Sequence, residues 1–581
     1  MPGRGPPRIV GSKLPLSRPA VSAVPLGTCD GGRDTRARAV FETRPCFSSS
    51  WIVQPEAGEA PVVSRYTVAG VTVTIMSPKD SSCGLYMVDP PEYRLGPAQM
   101  QILGEAMSDV TSIVPPDIES GSLSTVRPYI KARAKDLLYA KLAAKGGGAD
   151  GREIDKDADF LAELLSKYTA GYGLLETLLE DPTVQDIYVD SPSSQTPVQV
   201  VLRSGAVPGV RQKCRTNIFL GRRDLLGMVS RVKFETGLPF SEAHPVLEAD
   251  MRHLGARVTV VGPPLSDKGL SVAIRKHSDV MWTMPRLVAN GSMSPLLASF
   301  LWACVLGRRT VLVAGSRGAG KTSLLGAMLL EFPLSQRIVL IEDTPEIPVR
   351  KLQDLGFDLQ ALRFSNGKDG ADISAQDTLR VSLRMGESAI VIGEVRGDEA
   401  KVLYESMRAG SAGSSVLGTI HGNSAKGVVD RAVEDLGVSE RAFSSTDIVV
   451  VIGLIRSPDG ARFHRRVTEV AEVRDKGNGV ELVSLFEIRP GCTCAKPTEQ
   501  FSPSCKTIVG AADALGVSPE ALLDIIKTRA HADDIASQCP GGTPSPEAKR
   551  VASNELLTRT LFGADGPEAG LREWRDWFES S

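Results

Sequence analysis

Eight consecutive residues, Gly315-Ser316-Arg317-Gly318-Ala319-Gly320-Lys321-Thr322, satisfy the G-x-x-x-x-G-K-[ST] spacing of a phosphate-binding loop. Glycine at these places lets the backbone turn tightly enough for successive N–H groups to face one anion. Lys321 is then placed to reach the β- and γ-phosphates of a nucleoside triphosphate, and the Thr322 hydroxyl to bind Mg²⁺. An apolar strand, Thr310–Ala314, precedes the loop. A helix from Thr322 to Leu330 follows it and turns its positive end toward the same anion. The expected binding set is the loop itself, Gly315 to Thr322, together with Ser323.

A loop that binds phosphate does not by itself cleave it. Two acidic groups close apolar runs: Glu342 with Asp343 after Arg337–Ile341, and Glu394 after Ala389–Ile392 and Gly393. In an open α/β sheet these positions lie at the carboxyl ends of strands, where ligands bind. Glu394 can hold Mg²⁺ directly or through water, and Glu342 can orient an attacking water as general base. The usual pattern has Asp directly after the second run, and Gly393 stands there instead. His421 ends a third run, Val416–Ile420, in Gly418-Thr419-Ile420-His421-Gly422-Asn423, within reach of a γ-phosphate or a neighbouring subunit.

These residues need a sheet to hold them. Five short apolar runs alternate with helical stretches: Thr310–Ala314, Arg337–Ile341, Ala389–Ile392, Val416–Ile420 and Ile448–Ile452. Uninterrupted apolar strands separated by helices predict an α/β fold, a parallel sheet covered on both faces. Ala400, Leu403, Tyr404 and Met407 mark one face of such a covering helix, and a hairpin near Lys476–Gly479 closes the region. Upstream, alternation through Val68, Val71, Val73 and Ile75 and again through residues 84–88 predicts strands, and helical spacing follows to about residue 165. Residues 1–60, rich in Pro, Gly, Ser and Arg without periodicity, read as a disordered tail. The expected division is that tail, a first N-terminal region at 61–170, a second N-terminal domain at 171–284, the phosphate-binding domain at 285–490 and a mostly helical extension at 491–581.

The 67 basic and 69 acidic residues leave a net charge of −2, and aromatics make up 5%. Neither favours a polyanion partner or base-stacking platforms, so no direct nucleic-acid contact is expected. No run of 18 apolar residues is present, so a membrane role would act through another chain. Nine cysteines in a chain this long read as reduced thiols of a cytoplasmic protein. Cys492, Cys494 and Cys505, with Cys539 later, form a candidate Zn²⁺ set, although the one-residue gap is tighter than usual. Leu571, Trp574 and Phe578 repeat at helical spacing, as expected of a helix packed on its own domain.

Taken in order, the phosphate loop, the Ile341-Glu342-Asp343-Thr344-Pro345-Glu346 box, Gly393-Glu394-Val395-Arg396 and the His421 box resemble the secretion-superfamily ATPases of type II and type IV secretion, type IV pili and archaella, archaeal-type members above all. Gly171-Tyr172-Gly173-Leu174-Leu175 and Asp186-Ile187-Tyr188-Val189 resemble the start of that family's second N-terminal domain. The resemblance implies a RecA-like P-loop motor beside a PAS-like α+β domain, with helical extensions. It also implies a homohexamer that hydrolyses ATP with Mg²⁺ at the inner face of the membrane. Such a motor acts on a polytopic platform protein and, through it, on pilin-like or secreted substrates. It assigns Glu342 as base, Glu394 as the Mg²⁺-associated acid and His421 as the His-box residue. It adds Arg257 and Arg275 as guanidinium donors to the nucleotide. Departures from the family pattern are Gly386-Glu387-Ser388 before the second acidic strand, Arg317 inside the loop and His277 after Ile274-Arg275-Lys276. A nucleic-acid-translocating ATPase is the competing class, because the same core serves both.

Overall fold

The computed structural model describes residues 42–43, 45, 47–53, 60–78, 81, 83–110, 123–145, 150–203, 206–251, 254–277, 281–364, 374–386, 389–397, 399–408, 415–456, 463–477, 479–489, 492, 494–538 and 546–580. The chain divides into two units, Met1–His277 and Ser278–Ser581.

In the first unit one nine-stranded sheet runs, in spatial order, Val246–Met251, Ala256–Val261, Ser271–Lys276, Val184–Val189, Gln199–Leu202, Lys213–Thr216, Gly84–Asp89, Val71–Met76, Val62–Val68. Strands from both sides of residue 170 therefore join one sheet, through the parallel pair Gly84–Asp89 and Lys213–Thr216. Alternating residues such as Val71, Val73 and Ile75 are buried, as period-two patterning requires. Three helices, Pro97–Val110, Leu123–Lys145 and Gly151–Thr169, pack separately through Leu103, Leu138, Leu161 and Leu165.

Part of the Pro/Gly/Ser/Arg-rich stretch departs from the disordered reading. Trp51–Val53 is a strand paired with Ile218–Phe219, and Ile52 is fully buried. Asp224 captures the segment, accepting from Ser48 Oγ at 2.6 Å, Ser50 Oγ at 2.7 Å and the Ser49 and Ser50 N–H groups at 3.0 Å each. Burial alone would raise that carboxyl, yet these bonds hold it below its ordinary value. A distant side chain fixes residues 48–50, and no local periodicity records that. Most of the remainder of the stretch lies outside the described residues.

The second unit holds the expected parallel sheet with one more strand. Six parallel strands run Leu359–Arg363, Ile338–Glu342, Ala389–Val395, Ser415–Ile420, Val311–Gly315, Ile448–Arg456. Phe463–Asp475, Val480–Glu487 and Lys496–Pro497 extend the sheet antiparallel. The unanticipated strand Leu359–Arg363 lies at the sheet edge, and only Leu359 in it is buried, so its sequence has no apolar run.

Successive residues of the inner strands feed opposite layers. Val311 and Val313 pack with the helices Pro295–Leu306 and Lys321–Leu329 and with the C-terminal helices. Leu312 and Ala314 pack with the helices Glu399–Arg408 and Ala425–Asp430. This two-sided covering is what makes the strands read as unbroken apolar runs. The C-terminal residues form helices at Lys506–Leu515, Pro519–Gln538, Pro546–Leu561 and Pro567–Ser580. Leu571, Trp574 and Phe578 face their own unit, and Trp574 Nε1 donates to Ser553 Oγ at 2.8 Å. Among the described residues no helix is long and apolar enough to cross a membrane.

Candidate nucleotide site

The Val311–Gly315 strand is buried throughout, and the chain leaves its carboxyl end into the loop. Gly318 and Gly320 adopt φ of +78° and +105°, a region closed to most side chains, and the helix Lys321–Leu329 starts directly after them. Lys321 is 8% exposed, and its Nζ donates to the carbonyls of Gly315 at 3.0 Å and Ser316 at 3.2 Å. Burial pulls its ammonium below the ordinary lysine value, against the opposing pull of Glu394. A buried cation held by loop carbonyls is suited to a polyphosphate. Arg317 points to solvent, and Thr322 and Ser323 are half-buried on the first helical turn.

Glu342 and Glu394 stand on adjacent parallel strands. Glu342 is 5% exposed, and its Oε1 accepts the N–H groups of Glu346 at 3.2 Å and Ile347 at 3.3 Å. Burial nevertheless dominates and pushes the carboxyl up to about 8. Such a group lies close to the value wanted of a general base. The register between Ala389–Val395 and Ser415–Ile420 breaks between Ile392 and Val395, at Gly393 and Glu394. A break of this kind re-aims a side chain at a strand end.

Glu394 Oε1 lies 2.6 Å from His421 Nε2, and its Oε2 accepts from Arg396 Nε at 2.6 Å. Burial and the nearby Lys321 cation hold the imidazole below its usual value, against the opposing pull of Glu394. Arg396 also donates through Nη1 to Asp343 Oδ2 at 3.0 Å, tying the two acidic strand ends together. Thr419 Oγ1 donates to the Gly393 carbonyl at 2.6 Å and anchors the irregular turn.

The structure thus gathers Lys321, Glu342, Glu394 and His421 around the carboxyl ends of four neighbouring strands. Thr322 and Glu394 are the oxygen-bearing residues that would hold Mg²⁺. Sequence spacing assigns no role to Arg396 or Arg465. The first sits inside a quoted motif as an ordinary surface cation. The second is brought by the antiparallel strand Phe463–Asp475 to donate Nε to the Gly318 carbonyl at 3.0 Å. Only the strand pairing reveals it.

Arg257 and Arg275 are cross-strand partners in the first unit, facing Glu248 at 3.9 Å and Asp186 at 3.8 Å respectively. His277 Nε2 lies 3.4 Å from Asp250.

Cys505 is 1% exposed within the apolar core of the second unit, and burial pushes its thiol up to about 11. Cys492 and Cys494 are half-buried. Among the described residues no group of three or more His, Cys, Asp or Glu side chains converges as a metal site. Cys539 lies outside the described residues. Cys505 is a packed small hydrophobe.

A P-loop, two acidic strand ends and a histidine on one parallel sheet define a P-loop nucleotide-binding protein of RecA type. Residues 183–493 match the family model "Type II/IV secretion system protein", and the chain belongs to the type II/IV secretion-system ATPase family. An uncharacterised protein of Methanocaldococcus jannaschii is 28% identical over 341 residues, which is 58% of each chain. This chain therefore spans little more than half the length of that relative. A protein of Mycobacterium tuberculosis, provisionally named a conjugal transfer protein, is 28% identical over 346 residues, 58% of this chain and 94% of its own. The type IV secretion system protein VirB11 of Brucella suis is 34% identical over 199 residues, 30% of this chain and 54% of its own. The crystal structure of Brucella suis VirB11 in complex with sulphate aligns over 51% of this chain and 95% of that one, with 25% identity and a TM-score of 0.26.

Proposed function

We propose that this chain is a Mg²⁺-dependent ATPase motor. It works as a homohexamer at the inner face of the cell membrane and drives filament assembly or secretion through a polytopic platform protein. The observation that carries the reading is the carboxyl of Glu342, buried at a strand end beside Glu394 in the sheet that also carries a complete phosphate loop. In this reading Gly315 to Ser323 hold the phosphates, and Lys321 moves from its carbonyls to the β- and γ-oxygens. Thr322 and Glu394 would hold Mg²⁺, which would neutralise developing phosphate charge. Glu342 takes the proton of the attacking water, and His421 fixes Glu394. Arg257 and Arg275 supply guanidinium groups from the N-terminal unit. Residues 285–490 are the motor, 171–284 the domain that works against it, and 61–170 and 491–581 its extensions.

Membership of the secretion ATPase family supports this reading, as does VirB11's name as a type IV secretion system protein. The test is a pair of variants in the full chain. Lys321→Ala should lose nucleotide binding, whereas Glu342→Gln should retain it and lose turnover. A Glu342→Gln protein with parental turnover would remove that residue from the role of base.

The relative named for conjugal transfer favours a second reading, an ATPase that moves DNA. Marked stimulation of turnover by single-stranded DNA, with none by lipid or a platform protein, would select it.

A further inference from the structure

The strand Val311–Gly315 delivers the phosphate loop at its carboxyl end. Beside its amino end lies a second concave site that ATP turnover does not use. A cavity of about 540 Å³ there is lined by Arg309, Arg474, Lys506, Ser504 and Gln500, with Gly510 in its wall. No carboxylate lines it among the described residues. The three cations come from three elements: the turn before Val311–Gly315, the strand Phe463–Asp475 and the first residue of the helix Lys506–Leu515.

Their acidic partners stand behind the wall. Asp447 Oδ1 is 3.9 Å from both Arg309 Nη1 and Lys506 Nζ, while its Oδ2 accepts the Thr310 N–H at 2.8 Å. Glu472 is fully buried; Oε1 accepts from Arg474 Nε at 2.7 Å, and Oε2 from Thr507 N at 2.7 Å and Thr507 Oγ1 at 2.9 Å. Two carboxylates that also cap backbone groups face three cations, so the cavity surface carries a net positive charge. The seat is built around Arg309. A Cβ at Gly510 would lie 2.5 Å from Arg309 Nη1, so a larger residue there would push the guanidinium aside. A hydroxyl (Ser504), an amide (Gln500) and the positive end of the helix complete a surface rich in donors.

We propose that this cavity binds a phosphate-bearing anion, separately from the nucleotide at the phosphate loop. Its size admits more than inorganic phosphate, and its chemistry fits a small polyphosphate or a phospholipid headgroup equally. The proposal does not depend on ATP turnover.

The experiment uses the full chain carrying Lys321→Ala, which silences the phosphate loop. Inorganic pyrophosphate is titrated by calorimetry, and co-sedimentation is measured with phosphatidylcholine vesicles with and without phosphatidylglycerol. Lys506→Glu and Gln500→Glu are added in turn; both side chains are exposed enough to change without repacking the core, and thermal melts matching the parent establish folding. Binding in at least one arm, weakened about tenfold by each variant and reduced by added salt, is the expected result. Pyrophosphate binding alone identifies a free anion, and phosphatidylglycerol-dependent sedimentation identifies a headgroup. No binding in either arm, or binding that neither variant moves, overturns the proposal.

Discussion

Glu342 and Gly393 occupy one space: a Cβ built on Gly393 would stand 2.9 Å from Glu342 Cγ and 3.5 Å from its Oε1. The glycine that replaces the usual aspartate is therefore a steric requirement of the buried carboxylate on the adjacent strand. Because the crowded atom is Cγ, near the backbone, the side chain cannot swing clear at low cost.

Gly393→Ala should accordingly displace Glu342 while leaving the phosphate loop intact. Turnover should fall by about 100-fold, the scale of a misplacement near 1 Å in a catalytic group, while affinity for a fluorescent ATP analogue should change little. Equal losses in binding and turnover would show that the substitution damages the whole site instead.

The pH dependence of Glu342 has a definite sign. Its folded value of about 8 lies above the ordinary 4.5, so between the two the folded chain holds a proton that the unfolded chain has released. The stability this contributes is fully present below about pH 4.5 and is lost as pH rises through about 8, at up to about 1.4 kcal/mol per unit. Glu342→Gln cannot ionise, so in nucleotide-free protein its melting temperature should gain on the parent's from about pH 6 to about pH 9. In the parent, kcat/KM should rise with pH through an ionisation near 8, since that ratio reports the free enzyme. Parallel melting curves would place the carboxyl in its ordinary range.

Arg396 links Asp343 and Glu394, and although burial opposes its charge, its bonds to Glu394 hold the guanidinium above its ordinary value. With its side chain 55% exposed, the charge is worth no more than about 1 kcal/mol to a neighbouring cation, or about fivefold. Arg396→Gln should therefore tighten half-saturation by Mg²⁺ by up to about fivefold and lower kcat, because Glu394 loses the group that orients it. Unchanged Mg²⁺ dependence and kcat would reduce Arg396 to a surface ion pair.

The parallel sheet was legible because its strands are covered on both faces, which writes each as an apolar run. Glu342, Glu394 and His421 follow such runs, and Lys321 lies past the loop that follows another. What stayed hidden depends on pairing between distant segments. Leu359–Arg363 is an exposed edge strand with one buried residue. Residues 48–50 are ordered by Asp224, some 175 positions away. Arg465 reaches the phosphate loop only because an antiparallel strand folds back beside it. Short intervals in sequence do not by themselves bring cysteines together: among the described residues Cys492, Cys494 and Cys505 form no cluster, and the third is drawn into the core.

The C-terminal helices share the core of the second unit. Glu331, just past the helix that follows the phosphate loop, is fully buried and receives Arg550 Nη2 at 2.7 Å and Arg529 Nη2 at 3.0 Å. Asp533 takes Arg550 Nη1 at 2.9 Å and Ser299 Oγ at 2.8 Å. The Arg529 guanidinium lies 4.1 Å from the centre of the Trp302 ring. Removing one member of a buried charge network leaves its partners unpaired without water, a loss of about 3–5 kcal/mol. Arg550→Met should therefore destabilise the second unit by about that amount and shift its unfolding transition as a whole, because Glu331 connects the phosphate-loop helix to the C-terminal helices. The conservative Arg550→Lys, which keeps the charge but loses the fork, should recover only part of it. Denaturant unfolding followed by Trp574 fluorescence and by nucleotide binding should give coincident midpoints in parent and variant. A separate early transition of the C-terminal helices, with nucleotide binding retained, would instead make them an independent appendage.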